Sequence, residues 1–325
     1  MSLPRAGVLE DYQDYVRHLP CWRRLEGRVQ VDVYTDAVSD EGRLVERLQP
    51  YQIVVPIRER TRFPASLIDR LPALRLLALT GRNSGHVDVA AATRRGVLVT
   101  ETGGSGAAAI EHTIGLILAV VRRIPQEDRA LRAGRWQTSV GTDLAGKTLG
   151  VVGLGRIGSR IAAFGRFLGM RVLAWGPTLT AERAAAGGAA YTDLDTLLRE
   201  SDVVTLHTRL SELTRGLIGA ERLALMKPTA YLVNTARGPI VDEAALVAAL
   251  RAGRLAGAAL DVFDREPLPP GHPLTTLDNV VLTPHIGYVT REAYEIFFTE
   301  VVDAILAWLD GKVPARALNP EALRP

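Results

Sequence analysis

Short apolar runs alternate along most of the chain with amphipathic segments rich in alanine, leucine and arginine. Apolar runs bounded by polar residues or glycine predict buried strands, whereas apolar residues at helical spacing predict covering helices. The early helices are predicted at Glu41–Gln49 and Pro64–Leu71. The early strands are predicted at Ala6–Leu9, Val29–Tyr34, Ile53–Val55, Leu74–Leu79 and Val97–Val99. Alternation of this kind indicates a parallel sheet covered on both faces.

A long predicted helix, Ala107–Arg123, interrupts this rhythm, and polar, Arg-rich sequence follows it. The alternation then resumes, with strands predicted at Thr148–Gly153, Arg171–Trp175, Asp202–Leu206, Ala230–Asn234, Ala256–Asp261 and Asn279–Leu282. A final helix is predicted over Arg291–Leu309. The pattern therefore predicts the α/β class, with two doubly wound parallel-sheet domains and a long helix at their junction.

Composition and length agree with a globular protein of about two domains. The 325 residues are 47% hydrophobic and 23% charged, and the net charge is only +3. The basic residues are scattered, so we expect no nucleic-acid partner. Cys21 is the only cysteine, which excludes an intrachain disulfide and favours a reducing compartment. The longest apolar stretch, Ile114–Val121, is far shorter than the ~20 residues of a membrane span, and no signal peptide is recognisable. We therefore expect a cytoplasmic protein with no membrane partner.

A glycine-rich turn joins a predicted strand to a predicted helix. Its glycines, Gly153, Gly155 and Gly158, have the GxGxxG spacing. The first allows a tight turn, the second lets the backbone approach a pyrophosphate, and the third lets the helix pack on the strand. This context favours a dinucleotide site over an ordinary strand–helix turn.

The acidic residue that usually binds the adenosine ribose is absent. An acidic side chain is expected about twenty positions further on, at the end of the second strand. That strand, Arg171–Trp175, ends in Gly176 instead. Arg183 is the nearest candidate for a 2′-phosphate, although it could equally be a solvated helix residue. We expect NAD as the cofactor, with NADP open because the acid is missing.

Three reactive side chains follow predicted strands later in the chain: Arg237, Glu266 and His285. The carboxyl ends of parallel strands meet at one edge of a sheet, so these side chains can share a site. An arginine binds a carboxylate through two parallel hydrogen bonds, and a histidine titrates near neutrality and can transfer a proton. Each residue alone has an ordinary structural explanation, but the three together predict reduction of a 2-keto acid.

Four segments make the sequence resemble the D-isomer-specific 2-hydroxyacid dehydrogenases: VVGLGRIG, LMKPTAYLVNTARGPIVDEAALVAAL, AALDVFDREPLP and NVVLTPHIG. The resemblance implies that Arg237 binds the substrate carboxylate, that Glu266 pairs with His285, and that His285 transfers the proton. It also implies a dinucleotide site made of Gly153, Gly155, Arg156, Ile157, Gly158, Gly176, His207, Thr235, Ala236, Asp261, His285 and Gly287. The chain ends soon after ALNP, so we expect no regulatory domain.

The resemblance further assigns the two domains. It implies a flavodoxin-like substrate domain (1–100 and 291–325), a Rossmann NAD(P)-binding domain (101–290) and a homodimer. In the first of these, the segment 79–85 resembles the family loop that receives the substrate carboxylate. The resemblance therefore implies a substrate contact in this loop at Gly81. Arg82 and Asn83 are candidates for further side-chain contacts, with a plain turn as the alternative, and Arg58 is another candidate for binding an anion.

Three further expectations concern the chemistry. Tyr288 follows His-Ile-Gly where small residues are usual, and it could narrow or cover the pocket. His112 lies in the junction helix and is interpreted as facing the core. No HExxH motif or Cys/His cluster occurs, so no metal site is expected.

The alternative function is an NAD(H)-binding sensor or corepressor of the same fold with little turnover.

Overall fold

The structure is a computed structural model that describes residues 3–82 and 84–323. It divides the chain into two compact units. Unit 1 comprises Met1–Ser105 together with Val289–Pro325, and unit 2 comprises Gly106–Tyr288. Within the described residues, each unit contains one sheet, of five strands in unit 1 and seven in unit 2.

Unit 1 is built on a parallel sheet with the strand order β2-β1-β3-β4-β5. The strands are β1 (Arg5–Leu9), β2 (Gln30–Val33), β3 (Ile53–Pro56), β4 (Leu76–Ala78) and β5 (Leu98–Thr100). The helices are α1 (Glu41–Leu48), α2 (Ala65–Ile68), α3 (Val89–Arg94) and α11 (Arg291–Leu309), with 3₁₀ turns at Val16–His18, Pro20–Leu25 and Pro320–Ala322. This strand order is that of flavodoxin-like sheets.

The C-terminal tail completes unit 1 through a buried asparagine. Asn319 is 1% exposed, and its Oδ1 accepts a hydrogen bond from the Val99 amide at 2.7 Å. Its Nδ2 donates to the Thr93 hydroxyl and the Val97 carbonyl, each at 2.9 Å. A buried side chain with three hydrogen bonds is difficult to replace, because its loss leaves buried polar groups unsatisfied.

Unit 2 is built on a parallel sheet with the strand order β12-β11-β10-β9-β6-β7-β8. The strands are β6 (Thr148–Val152), β7 (Arg171–Trp175), β8 (Ala190–Tyr191), β9 (Val203–Leu206), β10 (Tyr231–Asn234), β11 (Gly257–Leu260) and β12 (Val280–Leu282). The helices are α4 (Ala108–Val121), α5 (Ile124–Arg132), α6 (Arg156–Phe167), α7 (Ala181–Ala186), α8 (Leu194–Glu200), α9 (Ala220–Leu225) and α10 (Glu243–Arg251). Short 3₁₀ turns occur at Gly238–Ile240 and Pro273–Thr276. The order extends the Rossmann arrangement by one strand.

Local sequence explains where these elements begin. The side chains of Thr180, Asp193 and Asp242 each accept a hydrogen bond from an amide in the first turn of α7, α8 and α10. Such caps satisfy amides that have no partner within the helix. The strands β9, β10 and β11 are buried along their whole length. Burial on both faces explains why they appear in the sequence as continuous apolar runs.

The structure confirms the expected class of two doubly wound parallel sheets. The bounds of β7 and α11 agree with the prediction at both ends. The strand β8 was not predicted, because its two residues are exposed and carry no apolar pattern. The predicted helix Pro64–Leu71 was too long, since α2 ends at Ile68 and the chain continues in tight turns.

Candidate active site

The residues expected to bind a dinucleotide all lie in unit 2, beyond the carboxyl ends of its strands. They are Gly153, Gly155, Arg156, Ile157 and Gly158 after β6, Gly176 after β7, His207 after β9, Thr235 and Ala236 after β10, Asp261 after β11, and His285 and Gly287 after β12. Neighbouring parallel strands end on the same edge of a sheet, so these residues line one edge. Ligands of open α/β sheets bind at this edge.

The glycine-rich turn has the geometry that a pyrophosphate requires. Gly153 has φ +101°, and a Cβ there would lie 2.7 Å from the backbone of His207 and Thr208. A Cβ on Gly158 would collide with the carbonyl oxygen of Gly153, so only glycine lets α6 pack this closely. A Cβ on Gly155, by contrast, would meet nothing within 4 Å. The N-terminus of α6 therefore borders open space next to the backbone, as in dinucleotide-binding turns.

The loop after β7 contains no carboxylate between Gly176 and Thr180. Gly176 does not have a positive φ, and a Cβ there would approach the Leu179 Cβ at 3.4 Å, an ordinary contact. Arg183 is exposed, and its guanidinium donates to the Thr178 carbonyl at 2.8 Å. A side chain larger than glycine can thus be accommodated at position 176.

His207, beyond β9, is an uncharged group at this edge. Its Nε2 lies 2.9 Å from the Thr205 hydroxyl. Burial of the imidazole lowers the pKa of His207 to about 4. Because the charged form of a histidine is disfavoured away from water, His207 is neutral at physiological pH.

His285 and Glu266 form the pair expected for proton transfer. The Nδ1 of His285 lies 2.5 Å from Oε2 of Glu266, and Oε1 of Glu266 accepts a hydrogen bond from the Phe263 amide at 2.9 Å. The side chains are 26% and 33% exposed, so the imidazole remains accessible to a ligand. Tyr288 packs edge-on against this imidazole, with the ring centroids 5.8 Å apart. The pair therefore has one ring nitrogen held by a carboxylate, which fixes the tautomer.

Arg237 follows β10, in a turn whose backbone is held by the side chain of Asn234. The buried side chain of Asn234 accepts from the Ala236 amide at 3.0 Å and donates to the Arg237 carbonyl at 2.9 Å. A Cβ on Gly238 would collide with the backbone of Phe263, so the Arg237 turn packs directly against the loop that carries Glu266. A continuous series of contacts thus joins the predicted catalytic residues within unit 2.

The expected substrate loop lies in unit 1. Gly81 has φ +81°, and its amide donates to the Thr102 hydroxyl at 2.6 Å. A substrate carboxylate that used this amide would have to displace that hydroxyl. Arg82 is exposed, and Asn83 lies outside the described residues. Arg58 also has a positive φ, and its guanidinium donates to the Thr80 carbonyl at 3.2 Å.

Sequence reasoning missed the residues that hold the catalytic loops. Asn234 and Thr283 are polar residues at strand ends that bond to the neighbouring backbone or carboxylate. His112, interpreted from the sequence as facing the core, has its Nε2 3.1 Å from Oδ1 of Asp261. The signal for Asn234 was available, because a polar residue that ends a fully buried strand needs hydrogen-bond partners.

Within residues 3–82 and 84–323, no cluster of three or more His, Cys, Asp or Glu side chains could bind a metal ion. In the same ranges, none of the helices has the length and apolar character that crossing a bilayer requires.

Comparison with known proteins identifies relatives along nearly the whole chain. The family model "D-isomer specific 2-hydroxyacid dehydrogenase, NAD binding domain" matches residues 114–287. The glyoxylate reductase of Thermofilum pendens is 44% identical over 268 residues, covering 80% of this chain and 79% of that protein. The D-3-phosphoglycerate dehydrogenase of Archaeoglobus fulgidus is 39% identical over 321 residues, covering 98% of this chain but only 59% of its own length.

A solved structure shows the same fold with ligands bound. The D-lactate dehydrogenase of Aquifex aeolicus, complexed with NAD and lactic acid, superposes with a TM-score of 0.78 at 30% identity. The match covers 97% of this chain and 99% of that one.

Proposed function

Because this chain belongs to the D-isomer-specific 2-hydroxyacid dehydrogenase family, we propose that it transfers a hydride between NAD(H) and a small 2-keto or 2-hydroxy acid. The observation that supports this most directly is the 2.5 Å contact between His285 Nδ1 and Glu266 Oε2. This pair lies on the sheet edge that also carries the glycine-rich turn. Glyoxylate and hydroxypyruvate are the substrates we favour, and the first agrees with the names of the glyoxylate reductase relatives.

Different side chains of unit 2 bind the substrate carboxylate and transfer the proton. A bound nicotinamide dinucleotide supplies or accepts the hydride. Arg237 binds the substrate carboxylate with its planar guanidinium. In the reductive direction, the substrate oxygen gains negative charge, and Nε2 of His285 donates a proton to it. Glu266 holds Nδ1, so that Nε2 is the nitrogen that exchanges the proton, and it stabilises the imidazolium when His285 is charged.

We also propose distinct roles for the two units. Unit 2 binds the dinucleotide at the edge described above, in accord with the expected NAD-binding domain of residues 101–290. Unit 1 is then the substrate domain, with Gly81, Arg82 and Asn83 as substrate contacts. Arg58 supplies a further positive charge beyond β3.

The test of this function is a steady-state assay of NADH oxidation with a panel of 2-keto acids. The panel contains glyoxylate, hydroxypyruvate, pyruvate and a 3-phosphorylated analogue, each assayed with NADH and with NADPH. Turnover of at least one acid supports the proposal. Tight NADH binding without turnover of any member would favour the sensor function instead.

Replacement of His285 by alanine is expected to lower kcat by about 10²–10⁴-fold, because the proton donor is lost. The affinity for NADH, measured by fluorescence titration, should stay near the wild-type value. An equal loss of NADH binding would show that His285 mainly supports the dinucleotide site and is not the proton donor.

Replacement of Gly176 by aspartate is expected to increase the preference for NADH. The wild-type discrimination against NADPH should be about two decades or less, because no carboxylate repels the 2′-phosphate. The new carboxylate would accept hydrogen bonds from the ribose diol and repel that phosphate. The measurement is kcat/KM with both cofactors, with Leu179→Asp in the same loop as a control. A preference that does not move would show that position 176 does not contact the ribose.

We further propose that the protein is a homodimer formed through unit 2. Two large apolar side chains are exposed there on the segment between α5 and β6: Trp136 is 76% and Val140 is 93% exposed. Light scattering should give twice the chain mass of 35.2 kDa for the wild type. The Trp136→Ser/Val140→Ser variant should dissociate, whereas Leu213→Ser, at a similarly exposed apolar residue, should not. A monomeric wild type would contradict this proposal.

A further inference from the structure

We propose that His112 is a positioning residue for His285, acting through the buried carboxylate of Asp261. The proposal rests on the function proposed above, because it assigns His285 the proton transfer. It adds a residue from α4, a helix that contributes none of the other predicted catalytic groups.

His112 is a polar side chain on a largely apolar helix. The buried residues of α4 are mostly aliphatic, including Leu116, Ile117 and Val120. His112 instead extends toward the carboxyl ends of β11 and β12, and its side chain is 19% exposed. Its Nε2 lies 3.1 Å from Oδ1 of Asp261 and 3.0 Å from the Thr283 hydroxyl. An imidazole that only filled the core would not require two polar partners.

The carboxylate of Asp261 accepts several hydrogen bonds next to His112. Its carboxylate is 2% exposed, and the Thr283 hydroxyl donates to Oδ1 at 2.6 Å. The amide of Ile286 donates to Oδ1 and the amide of Gly287 to Oδ2, each at 2.9 Å. Burial alone would raise the pKa of Asp261, but the hydrogen bonds from His112, Thr283 and Ile286 hold it below its ordinary value. Both oxygens of this ionised carboxylate therefore accept hydrogen bonds from the loop that follows β12.

That loop carries His285 in a costly backbone conformation. His285 has φ +53°, in the left-handed region that few non-glycine residues occupy. Such a residue persists only when the residues around it are held in place. On one side Thr283 donates its amide to the Leu260 carbonyl, and on the other side Ile286 and Gly287 bond to Asp261.

Close packing makes the arrangement sensitive to the identity of residue 112. A Cβ on Gly287 would lie 3.0 Å from Oδ2 of Asp261 and 3.6 Å from Cδ2 of His112. The imidazole thus lies beside the loop at Gly287, where an added side chain would meet both it and the Asp261 carboxylate. Loss of the ring nitrogen would leave Asp261 short of a donor in a buried site, which is costly. The loop and its imidazole would then sample additional conformations.

The experiment compares His112→Leu, which removes the donor, with His112→Gln, which keeps an amide donor near the position of Nε2. Asn279→Ala is the matched control. Asn279 precedes β12, and its side-chain amide donates to the Leu250 carbonyl of α10 at 3.3 Å. The variant removes this hydrogen bond at the end of β12 opposite to His285.

Amide hydrogen exchange gives the readout that does not depend on turnover. In His112→Leu, exchange at Ile286 and Gly287 should accelerate about 10-fold, the scale of one hydrogen bond to a charged group. Amides of β6 and β9 should keep their wild-type rates. His112→Gln and Asn279→Ala should exchange at these two amides like the wild type. Unchanged exchange in His112→Leu would overturn the proposal, even if the wild type turned over no 2-keto acid.

Kinetics then separate positioning of His285 from support of nucleotide binding. His112→Leu should lower kcat about 10-fold while the Kd for NADH changes by less than about 3-fold, and His112→Gln should recover most of kcat. A Kd for NADH that weakens as much as kcat falls would overturn the assignment, because His112 would then act on the cofactor. In the double variant with Thr283→Val, the two losses should be less than multiplicative, since both residues act on Asp261.

Discussion

All strands of unit 2 run in the same direction, and the arrangement of the proposed site follows from this constraint. Each strand delivers its following residue to the same edge, so segments far apart in sequence become neighbours. The glycine-rich turn after β6, Arg237 after β10, and His285 after β12 are brought together in this way. Parallel strands require crossover connections, and the helices that provide them bury both faces of the sheet. The same geometry therefore supplies the stability and the location of the chemistry.

Close contacts between backbone segments then fix the positions of the loops at this edge more precisely than the strand order does. At Gly158 and Gly238 a single added carbon would collide with the neighbouring backbone, so neither turn can accept a side chain without rearrangement. The contact at Gly238 holds the Arg237 turn against the residues that fix Glu266. Buried polar side chains, Asn234 in one loop and Asp261 in another, satisfy the amides that such tight turns leave without strand partners. Rigid positioning of this sort is what catalytic groups require.

The sequence predicted those features that depend on local pattern. The ends of β7 and α11 were placed correctly, since a glycine follows the strand and Thr290 caps the helix. The edge strand β8 was not predicted, because it is a strand through its pairing with β7 and its own residues give no strand signal. The role of His112 could not be read from the chain, since its partners lie about 150–170 positions away (Asp261 and Thr283) and only the packing of α4 brings them together. Side-chain networks depend on tertiary contacts, and a single sequence does not display these.

The division of unit 1 between the two ends of the chain has a consequence for synthesis on the ribosome. Residues 1–105 emerge before unit 2, yet β5 lacks the partners supplied by Asn319 and the adjoining tail until the second segment of unit 1 is made. At about 5–20 residues per second, translation of the intervening unit 2 occupies on the order of 10–40 s. Unit 2 is continuous in sequence and can fold during that interval. The nascent N-terminal segment meanwhile lacks α11 and the tail, so part of its apolar surface stays uncovered and open to aggregation or chaperone binding during that interval.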